Sequence, residues 1–182
     1  NHDMSRFYTQ MKHDVDLLKM GMTILLTTRG IPQIYYGTEV LMANPNSSEH
    51  GEIRGDMYGG WAGDAKSAFT GQGLLPAEKD AQEFFKKILN WRKSNEVIHK
   101  GKLMHFGPVD GVYVYFRYST KGKVMVIVNK NASAVDLLLD RFGEILQSGT
   151  HVRDVLSSTP SAFVLGKTLQ VPAKKAWVLE VD

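Results

Sequence analysis

The stretch Arg29-Gly30-Ile31-Pro32-Gln33-Ile34-Tyr35-Tyr36-Gly37-Thr38-Glu39 constrains the fold most, because two glycines and a proline bracket a short apolar run. Gly30 is free to take the left-handed backbone that closes a helix, and Pro32 cannot continue one, so the chain must turn between them. Residues 31–36 lack polar alternation, the pattern of a parallel strand covered on both faces, and Pro32 falls at the strand's start, where it is tolerated. Upstream, Val15, Leu18, Met22, Leu25 and Leu26 keep helical spacing over residues 12–28, with Asp14 and Asp16 in the first turns. Downstream, residues 76–95 read as a second helix with Pro76 at its start. Its apolar face is Ala81, Phe84, Phe85, Ile88, Leu89 and Trp91, and Lys86, Lys87, Arg92 and Lys93 lie towards its C-terminal half. Helix, parallel strand, long loop and helix form the repeating unit of an α/β fold.

After Gly101 the period changes from helical to alternating. Val112, Val114 and Phe116 alternate with Tyr113, Tyr115 and Arg117, and Val124, Val126 and Val128 follow. Asp110-Gly111 and Lys121-Gly122-Lys123 are turn signals between these strands. Further strands are expected over 135–139, 150–156, 167–171 and 176–181. The fold class is therefore α/β followed by all-β, with residues 1–101 as the α/β portion and 102–182 as an antiparallel β-sandwich. Residues 37–75 form a loop rich in Gly, Asn and Ser, and loops of that length in compact domains are usually functional or disordered.

Composition excludes several functions. Lys and Arg number 22 against 19 Asp and Glu, and the +3 balance has no block of like charge to form a nucleic-acid patch. There is no cysteine, hence neither a disulfide framework nor a thiolate metal site. The six histidines have no metal-ligand spacing. No run approaches the roughly 18 apolar residues of a membrane span, and nothing at Asn1 has the form of a signal peptide. Asn46-Ser47-Ser48 and Asn131-Ala132-Ser133 fit the glycosylation acceptor pattern, which arises often by chance.

Gly30-Ile31-Pro32-x-Ile34-Tyr35-Tyr36-Gly37-x-Glu39 resembles the eighth barrel strand of the alpha-amylase superfamily of glycoside hydrolases, and Asn1-His2-Asp3-x-x-Arg6-Phe7 resembles the family motif at the end of the seventh. Glu52-Ile53-Arg54-Gly55-Asp56 with Trp61 resembles more weakly the Asp/Pro/Arg-rich stretch before the eighth helix of neopullulanase-like members. Thr38 departs from the acidic residue many members carry there. The resemblance implies that residues 1–101 end a (β/α)8 barrel, from the end of strand seven through helix eight. Residues 102–182 would then be the C-terminal β-sandwich of a neopullulanase or cyclomaltodextrinase-like enzyme. Such an enzyme performs retaining hydrolysis of α-1,4-glucosidic bonds in starch-type glucans such as maltooligosaccharides, pullulan or cyclodextrins. No organic cofactor is implied, and the resemblance slightly favours a periplasmic or extracellular setting over a cytoplasmic one.

From its position alone Asp3 is a helix cap or a loop carboxylate. By resemblance it is the transition-state stabiliser, bonding sugar hydroxyls as the ring flattens, and His2 donates to the same sugar. Arg6 and Arg54 are ion-pair partners or substrate contacts. Tyr58, Trp61 and Tyr36 either stack on sugar rings or pack internally. The nucleophile and the acid/base of the family follow strands four and five, which precede the motifs present here. Two other readings stand beside this one. The sandwich is a non-catalytic carbohydrate-binding or interaction module with Tyr113, Tyr115 and Tyr118 on one face, or the chain is a structural remnant. A parallel strand without neighbours also leads us to expect that the isolated chain self-associates, or orders well only from about residue 100 onward. One group of the kind Asp3 represents supplies roughly 3 to 4 kcal/mol, against about 8 to 23 kcal/mol needed for glycosidase-scale rate enhancement. The isolated 182-residue chain is therefore expected to hydrolyse no α-glucan, and sustained turnover by the purified chain would refute this.

Overall fold

The computed structural model describes residues 1–157 and 161–182. The chain divides into two compact units, one of Asn1–Lys19 with Pro32–Lys86 and one of Met20–Ile31 with Lys87–Asp182.

The first unit is built from short elements. These are α1 (Phe7–Gln10), the start of α2 (Val15–Thr27), a 3-10 turn at Thr38–Val40, α3 (His50–Ile53) and the first part of α4 (Pro76–Ser94). Each long helix begins on a carboxylate. Asp14 Oδ1 accepts the N–H groups of Asp16 at 2.9 Å and Leu17 at 3.1 Å, satisfying donors that the first turn of α2 leaves open. Glu78 Oε2 reaches back to the Leu75 N–H at 2.7 Å, half of a capping box, while its Oε1 takes Lys66 Nζ at 2.7 Å. Between them the long connection folds around Val40, Met42, Ala68 and Leu74, with Met57 and Tyr58 packed against this cluster.

The strand expected over residues 31–36 is not formed. The segment is irregular, and Ile31 is 98% exposed. Every ladder among the described residues is antiparallel and lies after Gly101, so this run has no parallel neighbour to complete its backbone bonds or cover its side chains. The helical expectations hold to within three residues at either end, although Leu25 and Leu89, assigned to apolar faces, are more than a third exposed.

Among the described residues the second unit carries α5 (Glu96–Lys100) and eight strands: β1 (Lys102–Val109), β2 (Val112–Ser119), β3 (Gly122–Asn129), β4 (Val135–Leu138), β5 (His151–Asp154), β6 (Ser161–Val164), β7 (Thr168–Val171) and β8 (Lys175–Val181). Six form one sheet in the order β1-β2-β3-β8-β5-β6, and β4 pairs with β7 in a second. Asp110 and Gly111 both take positive φ, 49° and 75°, the backbone that a tight two-residue hairpin turn needs. The register of edge strand β1 shifts between Phe106 and Val109, around Gly107 and Pro108, which blunts an edge otherwise open to pairing.

One face of the large sheet, Val114, Phe116, Met125, Ile127 and Leu179, packs with Leu137, Phe142 and Val171 into the sandwich core. Asn129 ties the sheets together at one end, its Nδ2 donating to the carbonyls of Val171 at 3.2 Å and Pro172 at 2.9 Å. The opposite face is covered too. Tyr115 is fully buried and its hydroxyl bonds Thr27 Oγ1 in α2, while Arg117, 1% exposed, donates to the carbonyls of Thr27 at 2.9 Å and Gly101 at 2.8 Å. Arg92 donates to the Leu26 carbonyl, so two cations meet the carbonyl end of α2, where the helix dipole favours them. Trp91 Nε1 and Asn95 Nδ2 both donate to Glu180 Oε1, at 2.7 and 3.2 Å. β3 is consequently buried on both sides, and Met125 and Ile127 are as inaccessible as Val126 between them.

Burial holds the Tyr115 hydroxyl's pKa well above its ordinary value of 10, outweighing the opposing hydrogen bond from Thr27. The unfolded tyrosine ionises near pH 10 and the folded one only at higher pH, so the folded state keeps its proton longer and stability falls as pH rises above 10. In Tyr115→Phe that part of the decline should vanish, flattening the alkaline slope by up to about 1.4 kcal/mol per pH unit, as read by urea unfolding between pH 9 and 11. An unchanged slope would contradict it.

Candidate active site

The residues expected to carry chemistry lie in the first unit, at its exposed N-terminal turn. Asp3 and His2 are neighbours whose side chains are each 59% exposed, with His2 Nε2 3.2 Å from Asp3 Oδ1. Arg54, just past α3, reaches the same oxygen. Its Nη2 lies 3.2 Å from Asp3 Oδ1, and its Nε donates to the His2 carbonyl at 3.2 Å. One guanidinium thus holds both the backbone and the side chain of the His2-Asp3 pair. His50 Nδ1 lies 3.2 Å from Arg54 Nη2, one helical turn away. Asn1 Oδ1 accepts the Asp3 N–H at 2.9 Å. Among the described residues Asp3 Oδ2 has no hydrogen-bond partner, leaving one exposed carboxylate oxygen with its orientation set by the other.

Beneath this turn lies Asn44, 3% exposed and bonded on all sides. Its Oδ1 accepts the Arg6 N–H at 2.7 Å, its Nδ2 donates to Ser5 Oγ at 3.2 Å and the Ser47 carbonyl at 2.8 Å, and its own N–H meets Thr9 Oγ1 at 2.8 Å. The segment after Gly37 is thereby fastened to the segment after Asp3. Gly37 takes φ 81°, and a Cβ there would meet Met42 Sδ at 2.2 Å, so only glycine suits this point. Arg6 is 2% exposed. Its Nη1 donates to the Tyr36 carbonyl at 2.8 Å, and its guanidinium carbon stands 4.8 and 4.9 Å from the Tyr35 and Tyr36 ring centres.

The two loop aromatics differ. Trp61 is 68% exposed, with its Nε1 held by Asp56 Oδ2 at 2.9 Å. Tyr58 packs on the Val40-Met42 cluster and carries Lys66 Nζ 5.3 Å from its ring centre. Tyr36 is 39% exposed and donates its hydroxyl to the Gly55 carbonyl at 2.8 Å. In the second unit the three tyrosines do not share a face. Tyr115 is buried on the helix side, whereas Tyr118 packs against the sandwich core, because adjacent strand positions point oppositely. Sequence reasoning passed over Asn44 and His50. Asn44-Pro45 is a turn signal that draws attention to Asn44, and His50 stands four residues before Arg54, but neither spacing announces its partners.

Residues 1–63 match the alpha amylase catalytic domain family, and residues 103–180 match the cyclo-malto-dextrinase C-terminal domain family. A cyclomaltodextrin glucanotransferase of Bacillus licheniformis is 31% identical over 159 residues, covering 86% of this chain and 19% of the relative. Among solved structures, the alpha-amylase from H. orenii superposes over 100% of this chain and 38% of its own with a TM-score of 0.73 at 22% identity. The alpha-amylase from Geobacillus thermoleovorans, solved in complex with acarbose, gives 0.67 at 22% identity over 100% of this chain and 37% of its own. The chain spans about a fifth of the length of the curated relatives it matches.

The two anchors of the turn should differ in energetic weight. Arg54→Ala removes a half-exposed pair and should cost less than about 1 kcal/mol. Asn44→Ala strands buried groups and should cost about 2 to 4 kcal/mol. Urea unfolding of the two variants decides this, and equal costs would count against the assignment.

Proposed function

Because the chain belongs to the alpha-amylase superfamily of glycoside hydrolases, joining part of its catalytic domain to a cyclomaltodextrinase-type C-terminal domain, we propose that it is part of a retaining enzyme that cleaves α-1,4-glucosidic bonds of starch-type glucans. The observation carrying this reading is the His2-Asp3 pair, exposed and clamped by Arg54 within the segment that matches the catalytic domain. Asp3 acts there as the transition-state stabiliser. A carboxylate with one oxygen held and the other open suits two neighbouring sugar hydroxyls, whose bonds tighten as positive charge develops on the flattening ring. His2 donates to the same sugar, and Arg54 positions both.

Trp61 offers its exposed ring as a sugar platform, and Tyr58, already packed, supports the loop that presents it. Arg6 serves the site from beneath by fixing the turn, without itself reaching the sugar. The bond-breaking step requires a nucleophilic carboxylate and an acid/base about 5 to 5.5 Å apart. The carboxylates Asp14 and Glu78 are engaged in opening helices, and the proposed mechanism draws its reacting pair from other segments of the enzyme. By itself the chain is inactive, and the bare Ile31 side chain favours its self-association. The reaction needs no organic cofactor, and its partner is an α-glucan.

In the enzyme that carries this chain, Asp3→Asn should lower kcat about 100- to 1,000-fold with a much smaller change in KM, since the contact gains its strength in the transition state. Steady-state kinetics on a maltooligosaccharide measure both. An unaltered kcat removes Asp3 from the mechanism.

A further inference from the structure

Arg6 is a buried cation whose donors are only partly used. Its Nη1 is occupied by the Tyr36 carbonyl at 2.8 Å, and its backbone is fixed by Asn44. Its Nε and Nη2 are buried and have no hydrogen-bond partner among the described residues, and no carboxylate there pairs with it. These two nitrogens are not scattered. They form the edge of the guanidinium that presents parallel N–H bonds, the edge used in fork-like pairing with two oxygens. The rings of Tyr35 and Tyr36 stand within 5 Å of the same guanidinium and limit water there, so the charge is left uncompensated where compensation matters most.

We infer that the Nε/Nη2 edge of Arg6 is a receptor for one carboxylate. A carbonyl would fill a single donor and leave the charge standing, whereas a carboxylate fills both and neutralises it. The carboxylate comes either from an acidic side chain of another polypeptide segment or from a free carboxylate ion. This goes beyond the glycosidase reading and does not depend on it, because it uses neither Asp3 nor a sugar.

The test follows the Arg6 Nε–H signal, assigned through its own bonded carbons, in 15N–1H spectra of the chain titrated with acetate at constant ionic strength, with chloride as the control. The signal should move downfield and saturate with acetate alone, while those of Arg54 and Arg92 stay in place. The same spectrum is then taken of a longer polypeptide containing this chain. A signal already downfield and indifferent to acetate identifies an acidic side chain as the source, even if the shorter chain does not respond. One that still answers acetate identifies the free ion. An Nε–H that ignores acetate in both, and keeps the shift of a solvent-exposed arginine in the longer polypeptide, overturns the inference, as does an equal response to chloride.

Discussion

The guanidinium of Arg117 is the constraint on which the second unit depends. A charge 1% exposed is tolerated because carbonyls surround it, and two of them, on Thr27 and Gly101, belong to the end of α2 and the residue after α5. Removing such a group strands the Thr27 and Gly101 carbonyls, at roughly 1 to 3 kcal/mol for each buried acceptor left unpaired, a large share of a domain's net stability. The bond is specific as well as strong, because it accepts only an arrangement that brings a helix end to the middle of β2. Tyr115 and Thr27 form the second contact of the same junction, and Arg92 adds a second cation to the carbonyl end of α2. The sheet is therefore covered on both faces, by the sandwich core on one side and by helix ends on the other.

The first unit is held by a different logic. It contains no ladder, and its long connection keeps its course through individual polar anchors: Asn44 joining two distant segments, Arg54 holding the His2-Asp3 turn, and Glu78 starting α4. Such anchors are directional, so they orient a carboxylate to within a bond's tolerance. They bury little apolar surface, and large side chains such as Phe69 and Trp61 stay in solvent. A site made in this way is defined by orientation more than by enclosure. That suits the role proposed for Asp3, which is to offer one set of oriented hydrogen-bond acceptors.

Much of this was legible beforehand. The helices of residues 15–27 and 76–94, the hairpin turn at Asp110-Gly111 and the alternating strands that follow are local patterns, and local chemistry produces them. β1 and β6 went unassigned because edge strands are partly polar on both faces and carry weak alternation. The run over residues 31–36 misled for the opposite reason. Its composition suits a buried parallel strand, but a strand is a relation between segments, and the described residues hold no partner for it. Tyr113, Tyr115 and Tyr118 show the same limit. Alternation puts Tyr113 and Tyr115 on one face and Tyr118 on the other, and only the helix lying over β2 made Tyr115 a core residue.

What the sequence by itself determined, then, is the set of elements, the kinship carried by His2-Asp3 and the stretch from Gly30 to Glu39, and the absence of cysteine chemistry. Those follow from residue type and short-range spacing. Only the tertiary structure decided what covers each face of β2, that Arg117 ends a helix it lies 90 positions away from, that Arg54 and His2 meet on one oxygen of Asp3, and that one edge of Arg6 meets no partner among the described residues. Each is a contact between residues far apart in the chain, fixed by packing and by the need of buried polar groups for partners, and no local pattern encodes it.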